Sequence, residues 1–291
     1  MGYASYSTES RASRTATYMS LSTNEIFTQN QKRTIHESMV CDGLKLREAR
    51  DSENHPNTIP IILNLDVTGS MGSIPDQLVR EGLPKLMSDL IQRGVEDASL
   101  MFTAIGDHEC DRYPLQVGQF ESGDEELDMW LTRTYIESGG GGNFGESYLL
   151  AWYLAAFHTE TDSYDKRKEK GFVFTVGDEP GLPNIPASAL KEIFGPGQYK
   201  TWTDKELLEE ASKKWNIYHL NIPRGRVRDS NNYWKQLIGE NCIDVDNIND
   251  IPKIIAEIII ENKKTNKNNS SNQSIVEPKN DDNKKEDEQI L

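Results

Sequence analysis

Residues 59–72 read IPIILNLDVTGSMG. An almost unbroken apolar run, 59–65, gives way within seven positions to an acid, two hydroxyls and two glycines: Asp66, Thr68, Ser70, Gly69 and Gly72. A short apolar run without period-two alternation is the pattern of a strand covered on both faces, as in parallel sheets. Four more such runs follow, at 99–105, 172–176, 217–220 and, more weakly, 242–245.

Helical patterns lie between them. A helix begins after Ser73, carries Ile74, Leu78 and Val79 on one side, and is expected to bend at EGLPK because Pro84 has no N–H to donate. The segment GESYLLAWYLAAF, 145–157, is apolar around most of its circumference and reads as a buried helix. Thr203 and Glu206 form a capping box, and a last helix covers about 249–261. This alternation predicts an open, mostly parallel, doubly wound Rossmann-like α/β sheet flanked by helices.

In such sheets ligands sit beyond the carboxyl ends of the strands. Three strand ends here carry comparable chemistry, LDVTGSMG, AIGDHECD and TVGDEP, and the turn SGGGGNFGES enters the buried helix. Asp66, Thr68 and Ser70 alternate by two in a glycine-bounded loop, so one carboxylate and two hydroxyls can converge. An oxygen-only donor set suits Mg²⁺ or Mn²⁺ better than zinc. The same hydroxyls can instead merely cap the following helix.

Asp107 can join this site, or His108, Glu109 and Asp111 with it can bind a second cation or form a plain polar loop, the reading that solvated turns favour. Arg224, Arg226 and Arg228 are a basic cluster best read as a solvated turn. Trp152, Tyr153 and Phe157 have the spacing of core packing.

The D-x-T-G-S stretch after a buried strand resembles the metal-ion-dependent adhesion site (MIDAS) of von Willebrand factor type A (vWA) domains, whose usual motif is D-x-S-x-S. The resemblance spans about 58–262, and GDHECDRYPLQVGQF with GGGGNFGESYLLAWY is similar to a bacterial and phage-type branch of that family. It implies Mg²⁺ (or Mn²⁺) held by Asp66, Thr68 and Ser70, with Asp178 of TVGDEP completing the site. The family's Thr in the glycine-rich turn is missing here. Asn143 is expected in its place, with Glu146 the other oxygen donor nearby and Asp107, His108 and Glu109 on the rim.

The function so implied is a metal-dependent protein-binding module that accepts a partner's Asp or Glu carboxylate, rather than an enzyme. Two alternatives stand beside it. One is a metal-assisted hydrolase of the phosphoester class, with His108 or Glu109 as base. NLDVTGS also resembles the haloacid-dehalogenase phosphotransfer loop, but Asn64 stands where that loop has its nucleophilic Asp, which demotes a covalent phosphatase and leaves hydrolysis through a metal-bound water. The other is a structural module with an empty site.

The formal net charge of −15 argues against nucleic acid as a ligand and for cations. Three scattered cysteines give neither a disulfide framework nor a zinc motif. The first twenty residues lack the apolar core of a secretory signal, and the apolar cluster at 251–260 is too short to span a bilayer. A cytoplasmic location without membrane partners is expected. Residues 1–57 read as a polar extension with a few apolar anchors such as Ile26 and Phe27, and 263–291 as a disordered polar tail.

Overall fold

The computed structural model describes residues 4–137, 143, 145–224 and 227–273, those after 265 by backbone alone. All five expected runs are strands, in a sheet that also takes in a sixth: β1 (Ile59–Asp66), β2 (Ala98–Ile105), β3 (Leu115–Val117), β4 (Gly171–Gly177), β5 (Trp215–Asn221) and β6 (Cys242–Asp244). The spatial order is β6-β5-β4-β1-β2-β3. Every pairing is parallel except β2 with β3. This is a mixed, mostly parallel α/β sheet flanked by helices.

The longer helices are α1 (Thr8–Tyr18), α2 (Leu83–Gln92), α3 (Asp124–Thr132), α4 (Leu149–Phe157), α5 (Ala187–Phe194), α6 (Asp204–Ala211), α7 (Val227–Ile238) and α8 (Ile251–Gln273). Strand side chains alternate between two cores. Ile61, Leu63 and Leu65 of β1 pack with Leu86, Leu90, Leu131 and Ile255 on one face, whereas Ile62 packs with Leu150, Leu154 and Leu207 on the other. All eight residues of β1 are buried, which is why it reads as a continuous apolar run. Thr203 and Glu206 cap α6 reciprocally, as their spacing predicts.

From β1 the chain winds outward through β2 to β3, then returns to lay β4 on the other flank of β1. The order reverses between the carboxyl ends of β1 and β4, the position of the ligand crevice in this class of sheet.

The helix after β1 changes register where the sequence predicts a bend. An α-turn, Ile74–Gln77, passes into a π-helical segment, Leu78–Gly82, before α2. The Leu83 N–H bonds to the Leu78 carbonyl five residues back. Pro84, next in line, brings no N–H to the Val79 carbonyl in that register. Arg11 of α1 supplies the donor instead, its Nη2 lying 2.6 Å from the Val79 oxygen.

Residues 4–57 thus form part of the domain's packing. Ile26, Phe27 and Met39 are buried, and Arg11, 1% exposed, is ion-paired to Asp128 of α3, which also accepts the Tyr18 hydroxyl. Arg14 pairs with Asp124 at 2.8 Å, while Arg80 donates to the carbonyls of Tyr18 and Leu21.

At the other end α8 continues to Gln273, so the first residues expected to belong to a disordered tail are helical. Once nucleated, a helix extends at one bond per residue, which carries it past the last apolar position. Residues 274–291 lie outside the described residues. Among those described, no helix is long and apolar enough to cross a membrane.

Candidate functional site

The β1–β4 crevice holds Asp66, Thr68, Ser70 and Asp178 together. Asp66, the last residue of β1, is fully buried. Its Oδ1 accepts from the Thr68 N–H at 2.9 Å and from the Thr68 hydroxyl at 2.6 Å, so the two-residue spacing closes a compact turn. Thr68 Oγ1 lies 3.2 Å from Ser70 Oγ, and Ser70 donates to Asp178 Oδ1 at 2.9 Å across the crevice. Asp178 follows β4 directly and is also fully buried.

Sequence reading missed one member of this group. Tyr148, just before α4, donates its hydroxyl to Asp66 Oδ2 at 2.5 Å. It stands in an apolar segment read as core, and the sequence carries no local signal for its role, although a buried tyrosine O–H needs a partner once the fold is known. The place for its ring depends on Gly177, where a Cβ would come within 1.8 Å of the Tyr148 hydroxyl. Gly177→Ala is therefore expected to displace Tyr148 from Asp66 and to lower stability by about 1–3 kcal/mol. Chemical denaturation checks the cost; an unchanged midpoint would mean that the ring has room to retreat.

Asp107, His108, Glu109 and Asn143 form a second, adjoining group. Asp107 Oδ1 accepts from the Glu109 N–H at 2.9 Å and from Ser147 Oγ at 3.4 Å. His108 meets Ser147 Oγ through its backbone N–H at 2.9 Å and its Nδ1 at 2.7 Å. The Asn143 amide donates to Asp107 and, at 3.1 Å, to Glu109. The structure therefore places Asn143 with the Asp107 loop, and its amide nitrogen rather than its oxygen is what these bonds use. The glycines at 139–142 that precede it lie outside the described residues.

Glu146 sits between the groups. Its backbone bonds to Pro180 and Leu182, but Oε2 is buried without a hydrogen-bond partner among the described residues. Burial raises its carboxyl to about 10, and the charges of Asp66, Asp107, Asp111 and Glu179 act in the same direction. Asp66 is pushed up to about 7 by burial, aided by Asp178 and opposed by the hydrogen bonds from Thr68 and Tyr148. Among the described residues, no Lys or Arg is ion-paired with Asp66 or Glu146.

Of the basic cluster, Arg224 reaches over the first loop, its Nη1 3.4 Å from the Met71 carbonyl. Arg226 lies outside the described residues. Asn64 is occupied within the sheet, donating to the Phe174 carbonyl at 2.9 Å and accepting from Thr103.

An oxygen donor set of this kind, with an orphaned buried carboxylate oxygen beside it, fits a hard divalent cation. Among the described residues, however, no group of three or more His, Cys, Asp and Glu side chains is arranged to hold a metal ion. Any cation here would rely on the hydroxyls of Thr68 and Ser70.

No family model and no curated protein matches the chain. Among solved structures it is similar to the pilus adhesin SpaC from Lactobacillus rhamnosus GG in its open conformation, with 11% identity over 74% of this chain and a TM-score of 0.47. A second structure of that adhesin gives 12% identity over 74% of this chain and a TM-score of 0.45. The chain spans 31% and 32% of those adhesin chains. Overlaps of this grade decide nothing about the site.

Proposed function

We propose that the chain is a vWA-type binding module in which Asp66, Thr68, Ser70 and Asp178 hold Mg²⁺ or Mn²⁺, and that the cation accepts an Asp or Glu carboxylate from a protein partner. The observation that carries this reading is the concentration of buried acid at one strand edge. Asp66 and Asp178 are fully buried, Glu146 nearly so, and burial, with neighbouring carboxylates adding to it, holds the first and last of these far above the usual carboxylate range. A divalent ion would supply positive charge there and draw an outside carboxylate. In this reading Tyr148 fixes the rotamer of Asp66, Ser70 bridges the two loops, and Arg224 sets a positive charge on the rim.

Titration with Mg²⁺ and Mn²⁺ tests it. Saturation at a hundred times Kd is expected to add about 2.7 kcal/mol of stability, and Asp66→Ala is expected to abolish the gain. Capture of a partner should reverse on chelation.

The internal closure of the site favours a second reading, a structural knot without metal. Each of these hydroxyls already has a partner inside the cluster: Thr68 and Tyr148 on Asp66, Ser70 on Asp178. A melting temperature indifferent to both ions would establish this alternative.

A further inference from the structure

Beside the Asp107 loop lies a cleft of about 200 Å³ that includes none of Asp66, Thr68, Ser70 and Asp178 and shares only His108 with the rim of the cation site. It is built from three separate pieces of chain: the N-terminal segment, the loop between β2 and β3, and helix α5. Its apolar lining comes chiefly from Ile35, Val40, Leu115 and Ile193. Cys41 is also part of the wall, with its thiol pushed up to about 12 by burial and therefore inert. The titratable lining is weighted to acid, with the carboxylates of Asp42, Asp111 and Glu192 against the guanidinium of Arg112 and the imidazole of His108, which is turned onto Ser147. Arg112 is itself drawn onto the Tyr113 ring, 5.0 Å from its centroid. Asp111 is anchored, accepting the Asp107 N–H at 2.7 Å, and burial raises its carboxyl. Nearby positive charge would relieve that cost.

A cavity of this size is smaller than a drug-sized site. It suits one amphipathic side chain, with an apolar stem along the wall and a charged head at the acidic edge.

We propose that this cleft receives the basic side chain of a protein partner, an arginine or lysine whose stem lies on Ile35, Leu115 and Ile193 and whose head meets Asp42, Asp111 and Glu192. The excess of acid over base in the lining, in a chain whose net charge is −15, selects a cation over an anion or a neutral apolar group. The assignment is independent of metal at the β1–β4 crevice.

The test is an NMR titration of the full chain, in chelator and again in Mg²⁺, with the N-acetyl methylamides of arginine, lysine, norleucine and glutamate. Arginine or lysine should bind in the millimolar range, the scale for so few atoms, and shift the amides of Cys41, Asp111 and Glu192 equally in both buffers. Norleucine and glutamate should bind at least tenfold more weakly. Asp111→Asn, which keeps an acceptor for the Asp107 N–H, should weaken binding about tenfold, and the exposed Glu192→Gln about threefold. Ala189→Trp should block the cleft. The proposal is overturned if norleucine or glutamate binds as well as arginine, if no probe binds, or if both charge variants bind like the parent. It is also overturned if free agmatine binds tenfold more tightly than the arginine amide, which would mark the cleft as a site for a small organic cation. Loss of Mg²⁺ binding elsewhere would leave every one of these results unchanged.

Discussion

Arg11→Met is expected to lower the free energy of unfolding by about 3–5 kcal/mol, the cost of leaving one partner of a buried ion pair alone. Arg11 is 1% exposed, and two groups lose their bond with it: the Asp128 carboxylate and the Val79 carbonyl. The second loss is separable. Pro84→Ala in the Arg11→Met background returns an N–H near the Val79 oxygen and is expected to recover about 1 kcal/mol. Asp128→Asn in the same background removes the stranded charge while keeping an acceptor for Tyr18, and should recover more. Urea denaturation of the four proteins measures each step. An Arg11→Met variant within about 0.5 kcal/mol of the parent, the range of ordinary surface substitutions, would mean that α1 is a decoration on the domain.

The second large effect is an inverted pH dependence. Asp66 and Glu146 have folded-state values near 7 and 10, above their ordinary 3.8 and 4.5. Between the ordinary and the raised value the folded chain holds a proton that the unfolded chain has released. The stability each contributes is complete below the ordinary value and is lost as pH rises through the raised one, at up to about 1.4 kcal/mol per pH unit per group. Metal-free protein should therefore lose stability from about pH 4 upward, the Asp66 part ending near 7 and the Glu146 part continuing toward 10. Burial sets both shifts first, aided at Asp66 by Asp178 and at Glu146 by Asp66, Asp107, Asp111 and Glu179, with Thr68 and Tyr148 opposing at Asp66. Asp66→Asn should flatten the lower part of the curve. Added Mg²⁺ favours the ionised carboxylates, so its stabilising increment should grow between pH 5 and 8. Melting curves across that range, with and without Mg²⁺, read both effects; an increment that shrinks with pH would contradict a site made of these acids.

Much of the fold was legible because it rests on runs of buried residues that local reading detects. The five parallel strands, the change of helical register before Pro84 and the Thr203 cap all have short-range signatures. The edge strand β3 was not visible, since three residues, Leu115–Val117, are too few to show a period. Asp66, Thr68, Ser70 and Asp178 could be anticipated together because strand ends meet at one edge of such a sheet. Tyr148 could not, for nothing local tells a buried hydroxyl with a carboxylate partner from a tyrosine that only packs. The placing of Asn143 against Asp107 and Glu109 likewise depends on how two loops lie side by side, which spacing along the chain does not encode.

The join between Arg11 and Asp128 spans 117 positions. On a ribosome the guanidinium emerges long before its acid, so the first helix must wait, hydrated and unanchored, while the intervening strands are made. Its docking then closes a long loop, an entropic toll that grows only slowly with length. The seating of α1 therefore cannot be complete before Asp128 has emerged, and a purification tag near Thr8 is expected to disturb that docking rather than the pairing of β1 with β2.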